Sequence, residues 1–242
     1  MDAVAIVIPV LNEATTLPRL ARNLSILEPA PNEILVIDGG STDGTVGVAE
    51  RLGLRVIVDT EGRRGSQLNR GVREVSSPIV CLLHADTLLP DDAVAVIRAT
   101  LANPKVALAG FTALLCGAER VRWLTSFHNW IKTWYAPLLF RPLFFLRGGR
   151  LLFGDHAMFF RRADYLAVGG CDPGLVVMEE ADLCARMGAL GRVRLVNRIV
   201  LTSDRRVAAW GEWRTNWVYL KVGVLWAIGL RRRLARYYPP VR

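Results

Sequence analysis

The first ninety residues alternate short apolar runs with segments whose apolar positions recur at helical spacing. Continuous apolar stretches at Val4–Val10, Glu33–Asp38, Arg55–Asp59 and Ile79–His84 predict strands, and the 3.6-residue pattern between them predicts helices at about Thr15–Ser25, Thr45–Leu52 and Ser66–Val75. Strands buried on both faces read as unbroken apolar runs, and strand–helix–strand alternation is the mark of a mostly parallel sheet with helices on both sides. Each strand ends in a polar or Gly-rich turn: "LNEATT", "DGGSTDGT", "TEGRRGSQ" and "HADTLLPDD". In open parallel sheets ligands bind at the carboxyl ends of the strands, so these four turns are expected to converge on one crevice.

The second half is less regular. A helix at about Asp91–Leu101 leads to a strand at Val106–Leu115, a helix at Val121–Tyr135 and a Pro/aromatic segment reaching Leu146. "LLFGDHAMFFRR" (Leu151–Arg162) reads as a further strand, "EEADLCARMGAL" (Glu179–Leu190) as a helix and "RVRLVNRIVL" (Arg192–Leu201) as a last strand, before a helical region from Trp210 to Tyr237. There is no internal repeat or evident linker. The expectation is one α/β domain over 1–242, with a nucleotide-binding half at 1–115, an acceptor and catalytic half at 116–206 and a helical segment at 207–242.

Composition changes this picture little. The 31 Lys and Arg outnumber 22 Asp and Glu, for a net charge of +9. Only Lys105, Lys132 and Lys221 are lysines, and so general a use of Arg reads as genomic bias with a phosphate-handling surface, and no nucleic-acid partner is expected. Cys81, Cys116, Cys171 and Cys184 have no C-x-x-C spacing and read as reduced thiols of a cytoplasmic protein. The first apolar run carries an acid where a secretory leader has basic residues, so it reads as a strand. No stretch approaches the roughly 20 apolar residues of a membrane span.

The turns hold the candidate chemistry. In "IVIPVLNE" (Ile6–Glu13), Asn12 can turn the chain and Glu13 can favour a helix N-terminus, or both can face a ligand. In "VIDGGSTDGT" (Val36–Thr45), capping accounts for Asp43 but leaves Asp38 at the lip of the crevice. "GRRGSQLNRG" (Gly62–Gly71) and "LLHADT" (Leu82–Thr87) complete the set. In this order and at these spacings the turns resemble family 2 glycosyltransferases of the GT-A fold, over Val4–Pro90 and again over Phe153–Arg206. The likeness is strongest to the small subfamily of arsenosugar-biosynthesis glycosyltransferases.

The resemblance implies an inverting, metal-dependent enzyme that moves a sugar from a nucleoside diphosphate sugar to a hydroxyl acceptor. Pro9, Asn12, Glu13 and Asp38 would then line the nucleoside pocket, with Arg64, Gln67 and Asn69 beside it. Asp86 would hold Mg2+ or Mn2+, since the diphosphate itself supplies oxygens and one protein carboxylate can be enough. His84 stands where many relatives have a first acid, as a neighbour of the metal site or a substrate contact. Glu180 occupies the place of the family's catalytic Asp, with Glu179 and Asp182 as alternatives, and the extra methylene displaces the carboxylate by roughly 1 Å. Gly154 and Asp155, and with them Glu179 and Arg205, would meet the substrates; His156 is left open. Arg206 would stabilise the leaving diphosphate, although Val207 replaces the usual aromatic after it.

Three other readings remain. A polyprenyl phosphate acceptor at the membrane would need no strong base. The aromatic segment Trp123–Leu146 and "RRRLARYY" (Arg231–Tyr238) are either a core helix and a solvated helix end or a surface peripheral to the inner membrane. A nucleotidyltransferase is disfavoured by the lack of a Gly-rich activating loop near the first strand, and a non-catalytic nucleotide-binding protein is the last alternative.

Overall fold

The computed structural model describes residues 2–60, 63–117, 120–230 and 234–237. Its centre is an eight-stranded sheet in the order β3-β2-β1-β4-β7-β6-β8-β5. The strands are β1 (Val4–Val10), β2 (Glu33–Asp38), β3 (Arg55–Val58), β4 (Ile79–Leu82), β5 (Thr87–Leu88), β6 (Val106–Cys116), β7 (Phe159–Arg161) and β8 (Arg192–Ser203). β1 runs parallel to β2 and β4, β2 to β3 and β6 to β8, while β7 lies antiparallel between β4 and β6 and β5 antiparallel to β8. The sheet is therefore mixed, with its parallel half formed by the first four strands predicted.

Alternating side chains of one strand point to opposite faces. In β1, Ala5 and Val7 enter a core with Leu35, Ile37, Val80, Leu68 and Val72. Val4, Ile6 and Ile8 enter the opposite core with Leu17, Leu20, Val94 and Ile97. The helices that cover these faces are α1 (Leu17–Ser25), α2 (Thr45–Arg51), α3 (Arg64–Glu74) and α4 (Ala93–Leu101). A Cβ at Gly71 would overlap Val7, so glycine there lets α3 settle directly on β1.

The later helices are α5 (Trp123–Phe140), α6 (Pro142–Leu146), α7 (Arg162–Ala167), α8 (Glu179–Met187), α9 (Arg205–Trp210), α10 (Glu212–Ala227) and α11 (Leu234–Tyr237). Several differ from expectation for identifiable reasons. The fourth strand stops at Leu82, and "HAD" forms a turn, closed by Thr87 N–H to His84 C=O at 3.1 Å, before β5 joins β8. "LLFGDHAMFFRR" is not one strand: Gly154–His156 is a 3-10 turn and only Phe159–Arg161 is ladder. The buried His156 Nδ1 lies 2.8 Å from the Phe111 carbonyl, which draws this segment out of line. α5 runs through Pro137 to Phe140 instead of stopping at Tyr135; Pro137 is buried, and tertiary packing outweighs the lost backbone bond. The terminal helical region breaks at Gly211, whose φ of +81° suits glycine. Arg231–Arg233 and Tyr238, which completed the basic terminal motif, lie outside the described residues. Cys81, Cys171 and Cys184 are buried free thiols. Among the described residues, no helix is long and apolar enough to cross a membrane.

Candidate active site

The carboxyl ends of β1, β2 and β4 converge as the alternation predicts, and the turn after β1 interlocks with the turn after β2. Asp38, at the end of β2, accepts from the N–H groups of Gly40 and Ser41, both at 2.9 Å, and from the Ser41 hydroxyl. Asn12, in the left-handed region at φ 58°, accepts from Thr42 N–H at 2.9 Å. Its own N–H donates to Ser41 Oγ at 2.8 Å. Asp43 accepts from Thr45 N–H at 3.0 Å and from Ala14 N–H at 3.1 Å.

Below these turns is a cavity of about 520 Å³. Pro9, Glu13, Arg64, Gln67, His84, Asp86, Gly154, Asp155, Glu179, Glu180, Arg205 and Arg206 all line it, so most of the residues singled out in the sequence meet in one space. Asn12, Asp38 and Asn69 are not among its lining. Asn12 and Asp38 hold the interlocked turns, and Asn69 donates to Cys171 C=O at 2.7 Å while accepting from Tyr165 Oη at 2.6 Å. Gln67 Nε2 donates to the Val10 and Ile37 carbonyls, both at 3.3 Å, tying the ends of β1 and β2 together.

Two arginines organise the charges. Arg64 opens α3 and reaches the start of α8, with Nη2 2.7 Å from Glu180 Oε1 and Nε 3.5 Å from Glu179 Oε1. The same Nη2 lies against His84 Nε2, which is 3.9 Å from Glu180 Oε1. Burial raises the Glu179 carboxyl, the Glu180 charge raises it further, and Arg64 only partly offsets them. Burial also acts to raise Glu180, but Arg64 and then His84 outweigh it and keep this carboxyl ionised. Within the pair the two environments push in opposite directions, favouring the protonated form of Glu179 and the carboxylate form of Glu180. Asp182 turns away and pairs with Arg186 at 2.8 Å. Met178, just before α8, has φ 70°, a costly conformation for a side chain with Cβ that places Glu179 and Glu180 at the cavity. A Cβ at Gly154 would overlap His84 and Arg64, which explains glycine there without any ligand.

Arg205 is the second organiser. Its Nη2 is 2.9 Å from Glu13 Oε1 and 2.8 Å from Asp86 Oδ2, joining three parts of the chain. Glu13 therefore serves this ion pair and not the N-terminus of α1, which begins four residues later. The Arg206 guanidinium lies 5.0 Å from the Trp210 ring centre.

Sequence reading missed the residues that α5 contributes. Asn129 Nδ2 donates to Asp155 Oδ2 at 2.5 Å, and Asp155 Oδ1 is 3.9 Å from His156 Nε2. Lys132 is buried with Nζ 3.7 Å from the Phe153 ring centre, and burial depresses its pKa to about 8 against the opposing pull of Asp155. The signal was present: Asn129 and Lys132 stand one helical turn apart in an otherwise aromatic segment, and Lys132 is one of only three lysines. Tyr135, Ala136, Phe140, Val222 and Trp226 make the cavity apolar at this end.

Among solved structures, a mannosyltransferase from Pyrobaculum calidifontis, in complex with GDP-Man and Mn2+, superposes with a TM-score of 0.70 at 22% identity, covering 94% of this chain and 64% of that one. Glucosyl-3-phosphoglycerate synthase from Mycobacterium tuberculosis, with Mn2+ and UDP-glucose, gives 0.63 at 18% identity over 94% and 79%. At such identities the likeness establishes the GT-A fold. Among curated proteins, an uncharacterized glycosyltransferase of Mycobacterium tuberculosis is 40% identical over 85 residues, 35% of this chain and 37% of that protein. Glycosyltransferase AglJ of Haloferax volcanii is 36% identical over 86 residues, 35% and 28% of the two chains. These matches span roughly a third of the relatives' own length. The family model described as glycosyl transferase family 2 matches residues 5–169, well over half of the sequence, and with the fold and the convergent turns it identifies this chain as a member of that family.

Proposed function

We propose that the chain is an inverting glycosyltransferase that moves a sugar from a nucleoside diphosphate sugar to a hydroxyl acceptor. The observation that carries this reading is the placement of Glu180 in the same cavity as Asp86, each side chain held by an arginine that a diphosphate can also bind. The GDP-Man and UDP-glucose in the two structural neighbours support the donor class. In the transfer, the acceptor oxygen forms a bond to the anomeric carbon and loses its proton to Glu180. The bond from that carbon to the diphosphate breaks on the opposite side, and its electron pair leaves with the phosphate oxygen. Pairing with Arg64 makes Glu180 a weak base. A donor diphosphate that draws Arg64 away would raise its basicity when the acceptor needs it.

Asp86 is the residue we assign to Mg2+ or Mn2+. The fit rests on charge: the Arg205 guanidinium already bridges Asp86 and Glu13, so the locus accepts a cation. Among the described residues no cluster of three acids, histidines or cysteines could enclose a metal alone, so an ion at Asp86 would take its remaining oxygens from the donor and water. Such an ion would supply charge neutralisation at the leaving diphosphate. Arg205 and Arg206 would take up the same charge as Asp86 changes partner.

A thermal-shift series of UDP, GDP, CDP and dTDP, with and without Mn2+, tests the donor site. One nucleotide should stabilise the protein, more strongly with metal, and Asp86→Ala should remove the metal increment. Stabilisation by none of the four refutes the donor assignment. The second reading, a lipid phosphate acceptor, is favoured by Lys132 and the apolar end of the cavity. It predicts little loss of turnover in Glu180→Gln, because a phosphate needs no base.

A further inference from the structure

Helix α5 is turned inside out. A helix on a globular protein ordinarily buries its apolar stripe. In α5 the buried positions are Thr125, Ser126, Asn129, Lys132 and Thr133 with Ala136 and Pro137, while Trp123, Leu124, Phe127, Trp130, Trp134 and Leu139 face outward. α6 extends this face and buries none of its side chains; Leu146 is 77% exposed. α10 packs beside α5, with Asn216 bonded to Thr125 and His128, and adds Trp213, 83% exposed, and Trp217. Contiguous apolar surface on this scale marks an interaction site.

Charge identifies what covers it. Between Arg120 and Arg150 the chain carries five arginines and Lys132 without a single Asp or Glu. Arg120, Arg141, Arg147 and, on α10, Arg214 are exposed, and Arg150 lies over the Trp134 ring at 3.9 Å. A second copy docked symmetrically would set these cations against one another with little to offset them, since 120–150 holds no acid and α10 adds Glu212 at its start. A bilayer with anionic headgroups supplies the missing negative charge, and Trp beside Arg is the composition suited to its interface.

We propose that the face formed by α5, α6 and the outer side of α10 docks on an anionic lipid bilayer, its apolar side chains in the acyl boundary and its arginines at the phosphates. α5 and α10 also wall the apolar end of the cavity, so docking turns that end toward lipid and suits an acceptor carried on a lipid. That last consequence rests on the glycosyl-transfer reading; docking itself does not.

Co-sedimentation with vesicles of phosphatidylcholine alone, and of phosphatidylcholine mixed with phosphatidylglycerol, tests the proposal. The unaltered chain should bind the mixed vesicles, less at high salt. Leu139→Glu/Leu143→Glu and Trp213→Ser/Trp217→Ser should each weaken binding about tenfold or more. Their thermal transitions and nucleotide-induced shifts should remain those of the parent, because all four side chains are exposed. No binding to the mixed vesicles, equal binding to the neutral ones, or unchanged binding by both variants overturns the proposal. A stable dimer that the same substitutions split would give the face to a second copy instead.

Discussion

The interlocked turns beside the cavity and the charged cluster within it are built on opposite plans. Where β1 and β2 finish, Asn12, Asp38 and Asp43 are satisfied by N–H and hydroxyl groups of their own turn or of the one beside it. Where α3, α5 and α8 meet, the main partners come from across the fold: Arg64 pairs with Glu179 and Glu180, and Asn129 bonds Asp155. Damage in the first region should stay local. In the second, removing one group leaves others buried and uncompensated, so the cost spreads.

The largest effect is expected from Glu180→Gln. Transfer to a hydroxyl acceptor should fall about 10²- to 10⁴-fold, with at most a modest loss of stability, because Arg64 loses a charged partner while Glu179 loses the charge that repels it. Steady-state rates alongside urea unfolding would check this, and a large loss of stability would contradict the assigned charge states. Arg64→Leu comes next. It strands the buried Glu180 carboxylate beside Glu179 and should cost about 2–4 kcal/mol, below the full figure for a buried pair because Arg64 is partly exposed. Adding Glu180→Gln should recover part of that loss, whereas additive costs would mean the cluster is not interdependent. In the interlocked turns, Asp38→Asn keeps an acceptor but loses its charge, and should cost about 1 kcal/mol with no influence on Arg64→Leu. Coupling between those two sites would erase the contrast drawn here.

The last effect is one of pH. Glu179 is raised above its ordinary 4.5, so above that value the folded protein holds a proton that the unfolded chain releases. Its contribution to stability is full below about pH 4.5 and is lost as pH rises through the higher folded value. Unfolding curves from pH 4.5 upward should show this decline, and Glu179→Gln should abolish it. An unchanged slope in that variant would place the proton elsewhere.

Much of this contrast was legible in the sequence. The four strand–turn units and Asp86 could be read because a buried strand and its turn are local signals. Misreadings gathered where a distant contact overrides the local pattern. "LLFGDHAMFFRR" looked like a strand until His156 was seen to bond the Phe111 carbonyl. The bonds from Gly40 and Ser41 to Asp38 are by contrast local, two and three residues on, and the turn motif alone did not show them.

By itself the sequence determined the alternation of strands and helices, the gathering of polar turns at one edge of a sheet, and the family. The first two follow from periodicity and turn chemistry over a few residues, and the family from the resemblance that the turn motifs carry. Only the tertiary structure decided that α5 turns its polar side inward, that Glu180 and not Asp182 shares Arg64 with Glu179, and that Arg205 meets Glu13 from 192 positions away. The reason is physical: burial and ion pairing depend on which surfaces the closed fold brings together, and no local pattern records that.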